Sequence, residues 1–302
     1  MEVSQFMLQL IEVSKQFRGT DFLLHKLSFN LGKGMHILIG PNGAGKSTLL
    51  RIIATIIRPD TGDISFNGWD IYSDLPRYKF GLGYLPQVSD FYDHMTGKEF
   101  LRYIAGLKGI EHRRVQERTD YVAELLRIHQ YCTRKISTWS VGQRQRLGLA
   151  QALLGDPDIL VLDEPFGGLD LEEAEAVGQL LVRLSQDKVV LISSHIMEGL
   201  AMNGLLFLVD GHLQFTGSST TFLDKAQGQV WSVETSKEQW FKLQHEYLTS
   251  TVIFKDGRCR CKIICEYKPD IPGAKAIAPR LEDAYIFWLQ YCKQKRGKGL
   301  KC

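Results

Sequence analysis

The nine residues GPNGAGKST, Gly40 to Thr48, constrain the fold of this chain more than any other stretch. They fit the spacing G-x-x-x-x-G-K-S/T, with a short apolar strand before them (MHILIG, 35–40) and a helix-period run behind (KSTLLRIIATIIR, 46–58) that Pro59 is expected to stop. Glycines at those places let backbone N–H groups wrap a phosphate, the start of the helix adds positive potential, and Lys46 reaches the terminal phosphates. Ser47 is placed to ligate Mg²⁺. All nine residues, Gly40, Pro41, Asn42, Gly43, Ala44, Gly45, Lys46, Ser47 and Thr48, are therefore candidates for phosphate binding.

A strand feeding a glycine loop and a helix belongs in an α/β domain, and the rest of the chain agrees. From Met7 to about Gly217 short apolar runs alternate with helix-period segments: LGYLPQ (82–87), DILVLDEP (158–165) and KVVLISSH (188–195) read as strands, and about 172–186 as an amphipathic helix. Between Val88 and Leu154 strand signals vanish and helical periodicity takes over, which predicts a helical insertion at about 88–154. Beyond about residue 226 the pattern becomes WSVETS, KEQWFKLQHEYL, TVIFKDGRCRCKII with Asp256-Gly257 as a two-residue turn, then LEDAYIFWLQY as a helix. The expectation is an α/β domain over 1–225 and a small α+β appendage with a basic tail over 226–302.

Two adjacent carboxylates, Asp163 and Glu164, close the apolar run ILVLDEP, and strand ends are where open α/β sheets hold ligands. Asp163 suits Mg²⁺ held through water, and Glu164 suits the polarisation of an attacking water, as phosphoryl transfer requires. Capping of the following turn is the structural alternative for this pair. His195, ending VVLISSH, is placed to reach the γ-phosphate, although a histidine at a strand end also serves as a structural hydrogen-bonder. Gln87, after LGYLP, offers a side-chain amide to the metal and to the nucleophilic water.

In order and spacing these motifs resemble the ATP-binding cassette family, the nucleotide-binding subunits of ABC transporters. GPNGAGKST matches Walker A, YLPQ the Q-loop, WSVGQ the signature, ILVLDEP Walker B, GGLD the D-loop and SSH the switch histidine, over roughly residues 7 to 225. The resemblance implies a P-loop NTPase cassette with a mixed-sheet core, ATP and Mg²⁺ as ligands, and two cassettes that sandwich two ATP molecules head to tail. Ser140, Gly142 and Gln143 of WSVGQ would then serve the site of the other subunit from a helix start. Trp139 and Val141 depart from the usual LSGGQ, and valine would be strained if position 141 needs φ above zero. Phe17, twenty-nine residues before Lys46, stands where the family places an aromatic on adenine, with a buried strand phenylalanine as the alternative. Asp170 matches the D-loop aspartate, followed by Leu171 in place of the family's common proline. Phe91, Tyr92 and Met95 stand where the family receives coupling helices of the membrane subunit, or else belong to the core of the insertion.

Composition bounds the partners. No run of apolar residues is long enough to span a bilayer and the start lacks a basic leader, so the chain is expected on the cytosolic side, peripheral to the membrane, with transmembrane permease subunits on separate chains. A net charge of +3 from 37 basic and 34 acidic residues gives no reason to expect nucleic acid. Cys259, Cys261 and Cys265 lack metal-site spacing and read as buried reduced thiols. The implied function is an ATPase subunit that energises a transporter through ATP-driven closure with a second cassette, identical or different. PRLEDAYIFWL resembles the closing segment of single-cassette bacterial exporters, which favours export. A soluble ABC ATPase acting on DNA or ribosomes, and a regulatory nucleotide switch with weak hydrolysis, are the competing readings.

Overall fold

The computed structural model describes residues 7–19, 22–194, 201–255 and 257–295. The elements run β1 (Leu8–Gln16), β2 (Leu23–Leu31), β3 (Gly34–Ile39), α1 (Lys46–Ile53), β4 (Thr61–Phe66), β5 (Trp69–Asp70), α2 (Leu75–Phe80), β6 (Leu82–Leu85), α3 (Gly97–Leu107), α4 (His112–Leu125), α5 (Val141–Leu153), β7 (Ile159–Asp163), α6 (Leu171–Leu184), β8 (Val189–Ser193), β9 (Gly204–Val209) and β10 (His212–Gly217). They continue through α7 (Ser219–Asp224), β11 (Val230–Ser236), α8 (Lys237–Glu246), β12 (Leu248–Lys255), β13 (Arg258–Ile264), β14 (Lys275–Ala276) and α9 (Leu281–Lys295). Two compact units result, divided between Thr216 and Gly217, so that α7 goes with the second unit rather than ending the first at residue 225.

In the first unit six strands lie in the order β10-β9-β3-β8-β7-β6, with β9, β3, β8, β7 and β6 parallel. Strands β3, β7 and β8 are buried at every position, which is why, apart from His36 in β3, their sequences are near-continuous apolar runs instead of alternating ones. An antiparallel sheet, β2-β1-β4-β5, forms the second layer. Leu8, Leu10, Leu24, Leu27 and Ile64 from that layer share one apolar core with Leu49, Leu50 and Ile53 of α1 and with Val161 and Leu191 of the parallel sheet. Helix α1 thus fixes the glycine loop ahead of it to both layers.

Helix α1 stops at Ile53, five residues before the end that the sequence periodicity suggests. Thr55 takes φ 58°, its N–H bonds the Ile52 carbonyl at 2.9 Å, and the Ile56 N–H bonds the Arg51 carbonyl at 2.9 Å. Those two bonds close a Schellman motif, satisfying the last carbonyls before Pro59 is reached.

Among the described residues no strand interrupts 88–154, which holds α3, α4 and α5. Helices α3, α5 and α6 each start at a capping box: Thr96 with Glu99, Ser140 with Gln143, Asp170 with Glu173. Reciprocal side-chain and backbone bonds at those starts satisfy N–H groups that a helix leaves open.

The second unit is a four-stranded sheet, β12-β13-β11-β14, with α7, α8 and α9. Trp240 of α8, Val233 of β11 and Cys259, Cys261 and Ile263 of β13 form its core, with Cys265 just beyond the strand. The three cysteines are buried and outside any disulfide, and the Cys265 thiol donates to the Tyr267 carbonyl at 2.9 Å. Asp283 of α9 is fully buried and accepts from Lys262 Nζ at 3.0 Å, from the Arg280 N–H at 2.8 Å and from Ser250 Oγ. That carboxylate ties the start of α9 to β13 and to β12.

Candidate functional site

The site is built where the parallel strands end. Strand β3 delivers Gly40 and the glycine loop to α1, whose N-cap Gly45 has φ 102°. A side chain at position 45 would also lie 2.7 Å from Phe22 Cζ, so both the backbone conformation and the approach of Phe22 require glycine. Lys46 is 8% exposed, and its ammonium donates to the Gly40 carbonyl at 2.7 Å and to the Pro41 carbonyl at 3.2 Å. Burial lowers its pKa below the usual lysine value, while the carboxylates of Glu164 and Asp163 act to raise it. The cation therefore stands beside two acids at the mouth of the loop.

Strand β7 ends at Asp163, in register with Ser193 at the end of β8. Ser193 Oγ donates to Asp163 Oδ1 at 2.6 Å and accepts from the Glu164 N–H at 2.9 Å. Asp163 is 2% exposed, and its Oδ2 has no hydrogen-bond partner among the described residues. A buried carboxylate oxygen left over in this way, beside Ser47 and Gln87 in the same cavity, is the donor set that a hard divalent cation takes. Glu164 has φ 52°, its carbonyl accepting from the Gly167 N–H at 3.1 Å and from Gln145 Nε2 at 3.0 Å.

A cavity of about 420 Å³ brings these groups together: residues 42–48 of the loop, Phe22, Gln87, Asp163 and Glu164. Gly40 and Pro41 contribute through their carbonyls on Lys46. Phe17 does not line it; the aromatic at the wall is Phe22, whose ring centroid is 6.4 Å from that of Phe17. His195 lies outside the described residues, as does Asp256 of the second unit's turn.

WSVGQ lies apart from this cavity, at the start of α5. Ser140 Oγ accepts from the Gln143 N–H at 3.2 Å, and Gln143 Oε1 accepts from the Ser140 N–H at 3.0 Å. Val141 is the first residue of the helix and has no positive φ, so the backbone strain that a valine would suffer there does not arise. Its side chain is 70% exposed. Trp139 is buried, edge-on to Tyr131 at 6.1 Å, with its indole N–H donating to the Arg134 carbonyl at 3.3 Å, and so supports the loop from behind.

Asp170 caps α6, accepting from the Glu173 N–H at 2.8 Å. Glu173 in turn pairs with Arg146 of α5 at 2.7 Å, and a side chain added at Gly142 would meet Glu173 Oε2 at 2.8 Å and the Gly168 carbonyl at 3.1 Å. The signature helix and the D-loop of one chain are therefore packed together. Phe91 is edge-on to Phe100 at 5.2 Å inside the insertion, whereas Tyr92 is 46% exposed against Tyr103. Sequence reasoning passed over Phe22, Ser193 and Gln145; only Ser193 carried a signal, two residues ahead of His195 on a strand that ends at the site.

Known proteins resemble this chain in sequence and in fold. The family described as ABC transporter matches residues 24–167. The chain is 31% identical over 255 residues to the uncharacterized ABC transporter ATP-binding protein YxlF of Bacillus subtilis (strain 168), covering 83% of this chain and 84% of that protein. It is 39% identical over 167 residues to the molybdate/tungstate import ATP-binding protein WtpC of Pyrococcus abyssi (strain GE5 / Orsay), covering 55% of this chain and 48% of that one. Among solved structures, the dimeric post-hydrolysis state of the ATP-binding cassette MJ0796 bound to ADP and Pi matches with a TM-score of 0.65 at 22% identity, over 70% of this chain and 98% of that chain.

Proposed function

This chain belongs to the ABC transporter family as an ATP-binding subunit and ATPase, and we propose that it energises a membrane transporter by closing over ATP against a second cassette and reopening after hydrolysis. One observation carries the reading. The cavity holds Lys46, Ser47, Gln87, Asp163 and Glu164, yet none of its lining among the described residues comes from WSVGQ, whose Ser140 and Val141 are exposed at a helix start. A helix start that keeps its positive end and an exposed hydroxyl toward solvent is matched to a phosphate brought by another molecule.

In this reading the loop N–H groups and Lys46 hold the β- and γ-phosphates and stabilise charge as it develops. Glu164 takes a proton from water, the water oxygen bonds to the γ-phosphorus, and the bond from that phosphorus to the β–γ bridging oxygen breaks, giving ADP and phosphate. Ser47, Gln87 and Asp163 are the residues that would hold Mg²⁺, Asp163 through water; bound there, the ion supplies neutralisation of phosphate charge. Phe22 offers an apolar face at the nucleotide end of the cavity, with Phe17 next to it. His195 is assigned to the γ-phosphate from its place in SSH. Asp170 and Gln143 hold the helix starts at the junction with the second cassette.

No helix among the described residues is long and apolar enough to cross a membrane, so the permease subunits are assigned to separate chains and this chain to the cytoplasmic face. Tyr92 and its partner Tyr103 offer them an exposed aromatic pair. Export is the direction we favour, on the strength of the closing segment in α9.

The test is the mass in solution of Glu164→Gln with and without ATP. Doubling with ATP, together with loss of hydrolysis, supports a motor whose two halves complete each other's sites. A monomer that still binds ATP refutes closure by two copies of this chain.

A further inference from the structure

A glutamate in the left-handed region needs a reason. The φ of 52° at Glu164 is unfavourable for a side-chain-bearing residue and persists only where its surroundings over-determine it. Among the described residues three backbone bonds contribute. The Glu164 N–H is held by Ser193 Oγ at 2.9 Å, and its carbonyl by the Gly167 N–H at 3.1 Å and by Gln145 Nε2 at 3.0 Å. The first two come from the adjacent strand and from the turn that Glu164 itself opens. The third, from Gln145, comes from a helix packed beside the site.

That helix is α5, and Gln145 is fixed upon it. On either side Arg144 pairs with Asp93 at 3.1 Å and Arg146 pairs with Glu173 at 2.7 Å, while further along Gln151 Nε2 donates to the Tyr84 carbonyl on β6 at 2.7 Å. The amide of Gln145 is thus aimed by neighbours that hold the helix in register. Because side-chain direction follows backbone conformation, whatever fixes the peptide of Glu164 fixes where its carboxylate points.

We propose that Gln145 is a positioning residue for hydrolysis: its amide holds the Glu164 peptide in the left-handed conformation that aims the carboxylate at the attacking water, and so ties the base to the helix that begins at Ser140. The proposal rests on reading Glu164 as the base. It has a specific consequence, because a shift of α5 when Ser140 engages phosphate reaches Glu164 of the same chain through one hydrogen bond.

The experiment compares wild type, Gln145→Met, Gln145→Glu and Glu164→Gln for kcat, for KM with ATP and for pH dependence. Methionine keeps the shape and removes the donor, so kcat falls about 10- to 100-fold, the scale of a misaligned catalytic group. KM stays within about twofold, because Gln145 does not line the cavity. Glutamate opposes a carboxylate to the Glu164 carbonyl at high pH and regains an O–H donor when protonated, so its rate relative to wild type rises as pH falls. A kcat within about twofold of wild type for Gln145→Met, a KM that rises in step with the loss, or a flat pH ratio for Gln145→Glu overturns the proposal. If Glu164→Gln is inactive while Gln145→Met is fully active, only the positioning role fails. If Glu164→Gln hydrolyses ATP like wild type, the base assignment fails and the proposal with it.

Discussion

Gly168 of the D-loop, at φ 74°, lies directly beneath Val141 of the signature: a side chain added there would sit 2.5 Å from Val141 Cγ1. Gly168→Ala therefore meets two separate penalties. The left-handed backbone costs alanine about 1–2 kcal/mol. The overlap with Val141 adds about 1–3 kcal/mol, since the β-branched side chain has few alternative rotamers. Their sum is about 3.5 kcal/mol at central values, and at roughly 2–4 °C per kcal/mol for a unit of this size the melting midpoint falls by about 7–14 °C. In a Val141→Gly background the overlap vanishes and only the backbone term is left, about 1.5 kcal/mol or about 3–6 °C. Urea denaturation of the two single variants, the double variant and wild type measures the coupling directly, with about 2 kcal/mol expected. Equal costs for Gly168→Ala in both backgrounds, within about 0.5 kcal/mol, would refute the claim that the signature and D-loop of one chain are in contact at this point.

Two further outcomes follow from buried titratable groups. Burial lowers the His36 pKa from 6.5, the hydrogen bond from Nε2 to the Gly32 carbonyl opposes this only in part, and Nδ1 has no partner among the described residues. Below about pH 6.5 the unfolded chain then binds the extra proton, so the contribution of His36 to stability is complete above that pH and is lost as pH falls through the folded value. The midpoint should drop between about pH 7.5 and about pH 5.5, and less so in His36→Gln; identical slopes for the two proteins would remove His36 as the cause. In the second unit burial, and then the neighbouring Cys259, push the Cys261 thiol up to about 12. Iodoacetamide at about pH 8 should label Cys259 and Cys261 only after denaturation, and native labelling at the rate of a free thiol would contradict the packing.

The motif residues and the parallel strands are legible in the sequence for a physical reason. Strands β3, β7 and β8 are covered on both faces, so apart from His36 their runs are apolar, and the polar residues that end β7 and β8 stand out. The end of α1 is not legible, because Ile56 and Ile57 continue the apolar period while the chain turns at Thr55 through a backbone conformation that threonine gives little sign of adopting. Phe22 is hidden for another reason. Phe17 has the better spacing from Lys46, but the approach of Phe22 to Gly45 depends on how β2 lies against the loop. Gln145 looks like one more polar residue on an amphipathic helix, and nothing local in QRQR points to a carbonyl nineteen residues away. The conformation at Val141 is set by the capping box of Ser140 with Gln143, which makes position 141 the first helical residue, where valine is unstrained.

The in-register pairing of Leu38, Ser193 and Asp163 across β3, β8 and β7 governs how chains of this kind can change length. One residue gained or lost within β8 would turn every later side chain to the opposite face of the sheet. Ser193 would then leave both Asp163 and Glu164 in a single step, with no gradual route between the two registers. The segment from 88 to 140 carries no such lock, since its helices contribute no strand to the sheet. Insertions and deletions should therefore accumulate in that segment, away from Asp93 and from the Arg134–Trp139 support of the α5 start, while the lengths of β3, β7 and β8 stay constant.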